Sequence, residues 1–142
     1  MMDPVGEQKK IRVLCVDDSA DVVLMLELCI GAEPDMEIVG GLSSADELVG
    51  EVERTRADVV LLDMGMPGKD PLDALRELVG AGRGADGRGA GGARVIAYSG
   101  RNTQQDVDRA ADAGAWGNVS KSAEISRVLD AIREVARGNV AF

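Results

Sequence analysis

The chain contains no histidine. That excludes general acid–base chemistry on imidazole, imidazole metal ligands and any phosphoryl group stored on a ring nitrogen of the chain itself. Aromatic residues are nearly as scarce, with one Trp, one Tyr and one Phe among 142 residues. The core must therefore rest on Val, Leu, Ile, Met and Ala. Two cysteines, Cys15 and Cys29, sit inside apolar patterns without CxxC spacing. A disulfide scaffold is thereby excluded, and two buried thiols in a reducing compartment are expected. No apolar run approaches the ~18 residues that a membrane span requires. The first residues, MMDPVGEQKK, lack the apolar centre of a signal peptide. A cytoplasmic protein with no membrane partner is the expectation. Cations are outnumbered, 16 Lys and Arg against 25 Asp and Glu, for a formal net charge of -9. That balance speaks against direct nucleic-acid binding, and it serves solubility equally well.

What is present points to a single domain over residues 1–142, its core at about 10–137. Apolar runs alternate with amphipathic stretches, the signature of a parallel α/β sheet. Strands are predicted at 11–16, 36–40, 58–62, 94–98 and 116–119, the last weakened by Gly117 and Asn118. In the first predicted helix, Val22, Val23, Met25, Leu26, Cys29 and Ile30 fall on one face behind a Ser19 cap. Ser44-Ala45-Asp46-Glu47 reads as a capping box for the second. Asp70-Pro71 reads as a cap with proline at the first helical position. Asn102 or Thr103 starts the fourth helix, Ser122 opens the last, and Gly138 ends it. Residues 81–92, AGRGADGRGAGG, carry no large apolar side chain and read as a flexible insert. The alternative, a phosphate cradle, lacks the GxxxxGK[ST] pattern.

The apolar runs share one property: each of four delivers a polar group at its carboxyl end. IRVLCVDDS ends in Asp17 and Asp18, ADVVLLDMGMP in Asp63, RVIAYSG in Ser99, and GAWGNVSKS places Lys121 just past its core. In an open parallel sheet those ends meet at one edge, where ligands bind. Adjacent residues on a strand face opposite ways, so Asp17 and Asp18 can serve one ion only if the strand has ended. The alternative is that Asp18 caps the helix while Asp17 is solvated. Clustered carboxylates need a cation, and oxygen ligands alone favour Mg²⁺ or Mn²⁺. Asp63 then suits attack on phosphorus to give an acyl phosphate. Lys121 suits pairing with one phosphate oxygen and the Ser99 hydroxyl donation to another. Gly65 and Gly100 keep the mouth open, whereas Ser99 alone reads equally as a turn residue and Lys121 as a surface lysine.

Taken in order, VLCVDDS, LLDMGMPG, IAYSG and GAWGNVSK resemble the receiver domain of bacterial two-component response regulators. The resemblance implies a flavodoxin-like (βα)5 three-layer sandwich with a five-stranded parallel sheet in the order 2-1-3-4-5. It implies that Asp63 accepts a phosphoryl group from a sensor histidine kinase or phosphotransfer protein. It further implies that Asp17, Asp18, Asp63 and the Gly65 carbonyl hold Mg²⁺, and that Ser99, Gly100 and Lys121 engage the phosphate. Such a domain is no enzyme beyond its own phosphorylation and dephosphorylation. Its signal passes to an output protein or a missing effector domain, and a homodimer is among the forms it takes. The tail AIREVARGNVAF resembles the end of receivers joined to a helix-turn-helix domain.

The chain departs from the family's pattern at several points. Asn118 stands where most receivers carry an aromatic switch residue, and Ser122 where many carry proline. A receiver that works as a phosphorylation-independent interaction module is the alternative these departures suggest. A phosphatase of the haloacid dehalogenase type needs a second acid two residues after the nucleophile, where Gly65 stands. A flavin carrier needs a Ser/Thr-rich loop after the first strand, which is absent.

Overall fold

Val, Leu and Ile dominate the runs that become strands, and the runs between them turn helical wherever their apolar period changes to 3–4. The computed structural model describes residues 9–81 and 92–142, so the predicted insert at 81–92 lies, apart from its two end residues, outside the described residues. The elements run β1 (Ile11–Val16), α1 (Ala20–Gly31), β2 (Met36–Leu42), α2 (Leu48–Thr55), β3 (Val59–Asp63), α3 (Pro71–Ala81), β4 (Arg94–Ser99), α4 (Gln104–Ala113), β5 (Gly117–Ser120) and α5 (Ile125–Ala136). All strands pair in parallel, in the order β2-β1-β3-β4-β5. The fold is the flavodoxin-like sandwich expected from the resemblance.

Alternation along the central strands splits the core into two layers. Leu14, Val16, Val60, Leu62, Val95 and Ala97 pack with Leu48, Val52, Leu75 and Leu78 of α2 and α3. Val13, Cys15, Val59, Leu61, Ile96 and Tyr98 pack on the opposite face with Leu26, Ile30, Val128 and Ile132 of α1 and α5. Both faces of the middle strands are dry, as an all-parallel sheet requires.

Local punctuation holds for three helix starts and fails for two. Ser19 Oγ accepts from the Val22 N–H at 3.3 Å, Asp70 Oδ1 from the Leu72 N–H at 3.0 Å, and Thr103 Oγ1 from the Asp106 N–H at 3.1 Å. The capping box at Ser44–Glu47 does not form. Ser44 Oγ turns to the Asp46 N–H at 3.4 Å, and α2 begins at Leu48 with no side-chain cap. Ser122 likewise does not open α5. Its N–H and hydroxyl are engaged by Ser120 Oγ, and the helix starts three residues later at Ile125. In both cases a short side chain bonds the backbone within its own turn instead of a helix end. Gly138 follows α5 with φ +96°, as a helix-ending glycine should.

The apolar face of α1 is narrower than its period suggested. Leu26 and Ile30 are buried, Cys29 is only half-buried rather than buried, and Met25 is exposed together with Leu24 and Leu28. Strand β5 forms despite Gly117 and Asn118 because the tail pairs with it. Asn118 N–H donates to the Ala141 carbonyl at 3.0 Å and Ala141 N–H to the Trp116 carbonyl at 2.9 Å. A Cβ at Gly117 would lie 2.8 Å from the Ala141 carbonyl oxygen, so the close approach requires glycine.

Candidate functional site

The carboxyl ends of β1, β3, β4 and β5 bring the predicted polar groups together. Asp17 closes β1 and is buried, its N–H donating to the Leu42 carbonyl at 2.9 Å. Its Oδ1 accepts from the Ser19 N–H at 2.9 Å, which ends the strand and turns the chain into α1. Asp18 follows on the exposed side of that turn. Asp63 is the last residue of β3, 5% exposed, and its Oδ1 accepts from the Gly65 N–H at 2.9 Å. Carboxylate oxygens of Asp17, Asp18 and Asp63 lie within 4.8 Å of one another.

Lys121 spans the cluster from beyond β5. Its Nζ stands 2.8 Å from Asp17 Oδ2 and 3.3 Å from Asp63 Oδ2. Its backbone N–H donates to the Ser99 carbonyl at 2.8 Å, which fixes the end of β5 against the end of β4. Burial opposes the lysine's charge, but its close ion pair with Asp17 and the charge of Asp63 outweigh it and raise its pKa. The Asp63 carboxyl is also raised. Burial is the main cause, Asp17 adds to it, and the Gly65 N–H and Lys121 oppose it.

Ser99 arrives at the same edge with its hydroxyl engaged elsewhere. Oγ donates to the Arg101 carbonyl and accepts from the Arg101 N–H, both at 3.0 Å. Gly100 is exposed, with no atom within 4 Å of where a Cβ would stand, so the mouth beside it is open. A cavity of about 620 Å³ opens there, lined by Asp18, Asp63, Gly65, Ser99, Asn118 and Lys121 among others. Every side chain singled out in the sequence thus lies at this edge. Contributors not anticipated as site residues include Arg109 and Asn102. Arg109 reaches the cavity from α4, and its place in a polar helix gave no signal. Asn102, read only as a helix start, donates from Nδ2 to the Ser99 carbonyl at 2.8 Å and accepts from Asn118 Nδ2 at 2.6 Å.

The donor set suits a hard divalent cation. Asp17 Oδ2 is buried and makes no hydrogen bond; its contact with Lys121 is an ion pair outside hydrogen-bond geometry. An oxygen so placed beside two further carboxylates is what Mg²⁺ or Mn²⁺ takes as a ligand.

A doubly wound parallel sheet with an acidic triad and a lysine at its carboxyl edge defines a class of small signalling domains. The response regulator receiver domain family matches residues 13–133, and the chain belongs to that family. A nitrate/nitrite response regulator homologue from Haemophilus influenzae is 29% identical over 94% of this chain and 60% of its own length. A protein-glutamate methylesterase/protein-glutamine glutaminase from Ralstonia nicotianae is 42% identical over 53% of this chain and 20% of its own. The chain therefore spans less than two thirds of these curated relatives. Among solved structures, a LuxR-family two-component response regulator from an Aurantimonas species superposes with TM-score 0.83 at 25% identity, covering 94% of this chain and 90% of that one. The response regulator domain of Thermotoga maritima CheB gives 0.78 at 26% identity, covering 91% and 98%.

Proposed function

We propose that the domain is a phosphorylation switch in which Asp63 accepts a phosphoryl group from a phosphohistidine of a partner kinase or phosphotransfer protein. The observation that carries this reading is the convergence of Asp17, Asp18, Asp63, Ser99 and Lys121 on one open edge. The chain has no histidine, so the donor imidazole must come from outside. An oxygen of Asp63 attacks phosphorus, the P–N bond breaks, and the electron pair leaves on the imidazole nitrogen, which ends as neutral imidazole after proton exchange with water. Asp17, Asp18 and Asp63 would hold Mg²⁺ together with the Gly65 carbonyl, and that ion supplies charge neutralisation for the entering phosphoryl oxygens.

Lys121 is positioned to leave Asp17 for a phosphoryl oxygen. Asp17 would remain available as a ligand to Mg²⁺, so the lysine's charge is re-used and not lost. Ser99 reaches the phosphoryl group only by turning away from Arg101, because a hydroxyl has a single proton to donate. Gly65 and Gly100 leave the mouth wide enough for an approaching side chain. The donor's docking surface includes the α1 side of the site, where Leu24 and Leu28 stand 55% and 66% exposed. The output passes to a downstream protein or a further domain through the β5 side of the sheet.

Incubation with acetyl phosphate tests the reading. A single phosphoryl adduct should form with Mg²⁺ and be absent when the cation is chelated. Uptake independent of the cation would remove the role assigned to the acidic cluster.

A further inference from the structure

An unbroken line of hydrogen bonds leads from Ser99 to the C-terminal tail. Asn102 Nδ2 donates to the Ser99 carbonyl at 2.8 Å, and Asn118 Nδ2 donates to Asn102 Oδ1 at 2.6 Å. The same Asn118 donates its backbone N–H to the Ala141 carbonyl at 3.0 Å, on the outer edge of β5. Ala141 is buried, while Val140 and Phe142 on either side are 64% and 48% exposed. Asn139 is anchored to α5 by its N–H to the Glu134 carbonyl at 3.0 Å and its Nδ2 to Glu134 Oε1 at 2.8 Å. The strap proper is therefore residues 140–142, held by one buried alanine, two backbone hydrogen bonds and a long contact from Arg127 to the Phe142 carbonyl at 3.5 Å. So few contacts place it at the low end of local stability.

We propose that Asn102 and Asn118 form an amide relay that couples the position of the Ser99 hydroxyl to the seating of the 140–142 strap on β5. The inference rests on the reading of Ser99 as a phosphoryl-binding group. In the structure the hydroxyl closes the turn over Gly100 by bonding both polar backbone atoms of Arg101. Its proton cannot serve the Arg101 carbonyl and a phosphoryl oxygen at once. Turning Ser99 toward Asp63 opens that turn and frees the loop that carries Asn102. Asn118 Nδ2 then loses its acceptor, and the residue is free to shift at one of the two backbone hydrogen bonds that pin Ala141. An aromatic ring at position 118 would need a cavity to move into. An amide pair needs only to exchange partners, so this chain can transmit the change without a ring. Asn102 and Asn118 are positioning residues in this scheme and touch no reacting atom.

The test uses the full chain with its ¹⁵N amides observed before and after acetyl phosphate and Mg²⁺, the adduct being confirmed first by intact mass. In the wild type, exchange of the Asn118 and Ala141 amides should accelerate at least about tenfold on phosphorylation, as expected for release of a weakly held segment. Asn102→Ala should take up the phosphoryl group yet show the same exchange at both amides in either state. A merely structural role would change the baseline but preserve the difference between states. Unchanged exchange in a fully phosphorylated wild type overturns the relay, as does undiminished acceleration in Asn102→Ala. Failure to form any adduct, seen in the mass before exchange is read, overturns the underlying function instead, and the relay with it.

Discussion

At the scale of single residues, the charge on Asp63 is held at some expense of stability. Burial raises its carboxyl above the ordinary range, Asp17 adds to that, and Gly65 and Lys121 only partly compensate. A folded-state value above the unfolded one means that the protonated form stabilises the fold at low pH and that this contribution is lost as pH rises through the raised value. At neutral pH the carboxylate therefore detracts. Asp63→Asn should raise the thermal midpoint at pH 7 by roughly 4 °C, the scale of ~1 kcal/mol for a domain of this size. The gain should fade as pH drops through the carboxylate range, and thermal scans across that range would show it. Lys121 is raised too, so its contribution is intact at neutral pH and is lost only above the usual lysine range. Removing it leaves two buried carboxylates without their ammonium. Lys121→Ala should destabilise the metal-free protein by about 2 kcal/mol, less than a fully buried pair because the lysine is 24% exposed. Millimolar Mg²⁺ should recover most of that loss in urea titrations; an equal loss with and without the cation would contradict the ligand assignment. The acids and the lysine were legible in the sequence because each ends an apolar run. The orientation of Ser99 was not, since it depends on a turn closed by Arg101.

At the scale of elements, the strands were legible to within two residues of either end because buried parallel strands are continuous apolar runs. Helix starts were legible where the cap lies next to an apolar period, as at Ser19, Asp70-Pro71 and Thr103. They were not where Ser44 and Ser122 bond within their own turns. Helix α4 shows what holds a polar helix in place. Only Ala110 and Ala113 are buried, and Gly114 ends it at φ +112°, where a Cβ would come 2.7 Å from Val79 Cγ2. Gly114→Ala combines backbone strain with a clash against α3 and should cost about 1–3 kcal/mol. Urea unfolding would measure it, and a neutral result would mean that α4 shifts freely.

At the scale of the whole molecule, what the sequence could not show was long-range. The strand order followed from family resemblance and not from periodicity. The Asn102–Asn118 pair and the strap on β5 join residues that no local pattern connects. The exposure of Met25 and the half-burial of Cys29 on α1 were hidden for a related reason: period alone does not tell how wide a stripe the sheet can cover, whereas Leu24 and Leu28 fall off the predicted face. Leu28 is 66% exposed, so Leu28→Glu should leave the fold within ~0.5 kcal/mol of wild type. It should slow phosphoryl transfer from a histidine-phosphorylated partner at least tenfold, the effect of losing ~1.4 kcal/mol of docking. Uptake from acetyl phosphate should be unchanged. Equal slowing with both donors would place Leu28 in the chemistry and not in docking.

The measurement closest to the central claim is intact-protein mass after acetyl phosphate and Mg²⁺, for the wild type beside Asp63→Asn. A single phosphoryl adduct on the wild type, removed by hydroxylamine as an acyl phosphate must be and absent from the variant, is the predicted result. An equal adduct on both proteins, or none on a wild type shown to bind Mg²⁺, would contradict it.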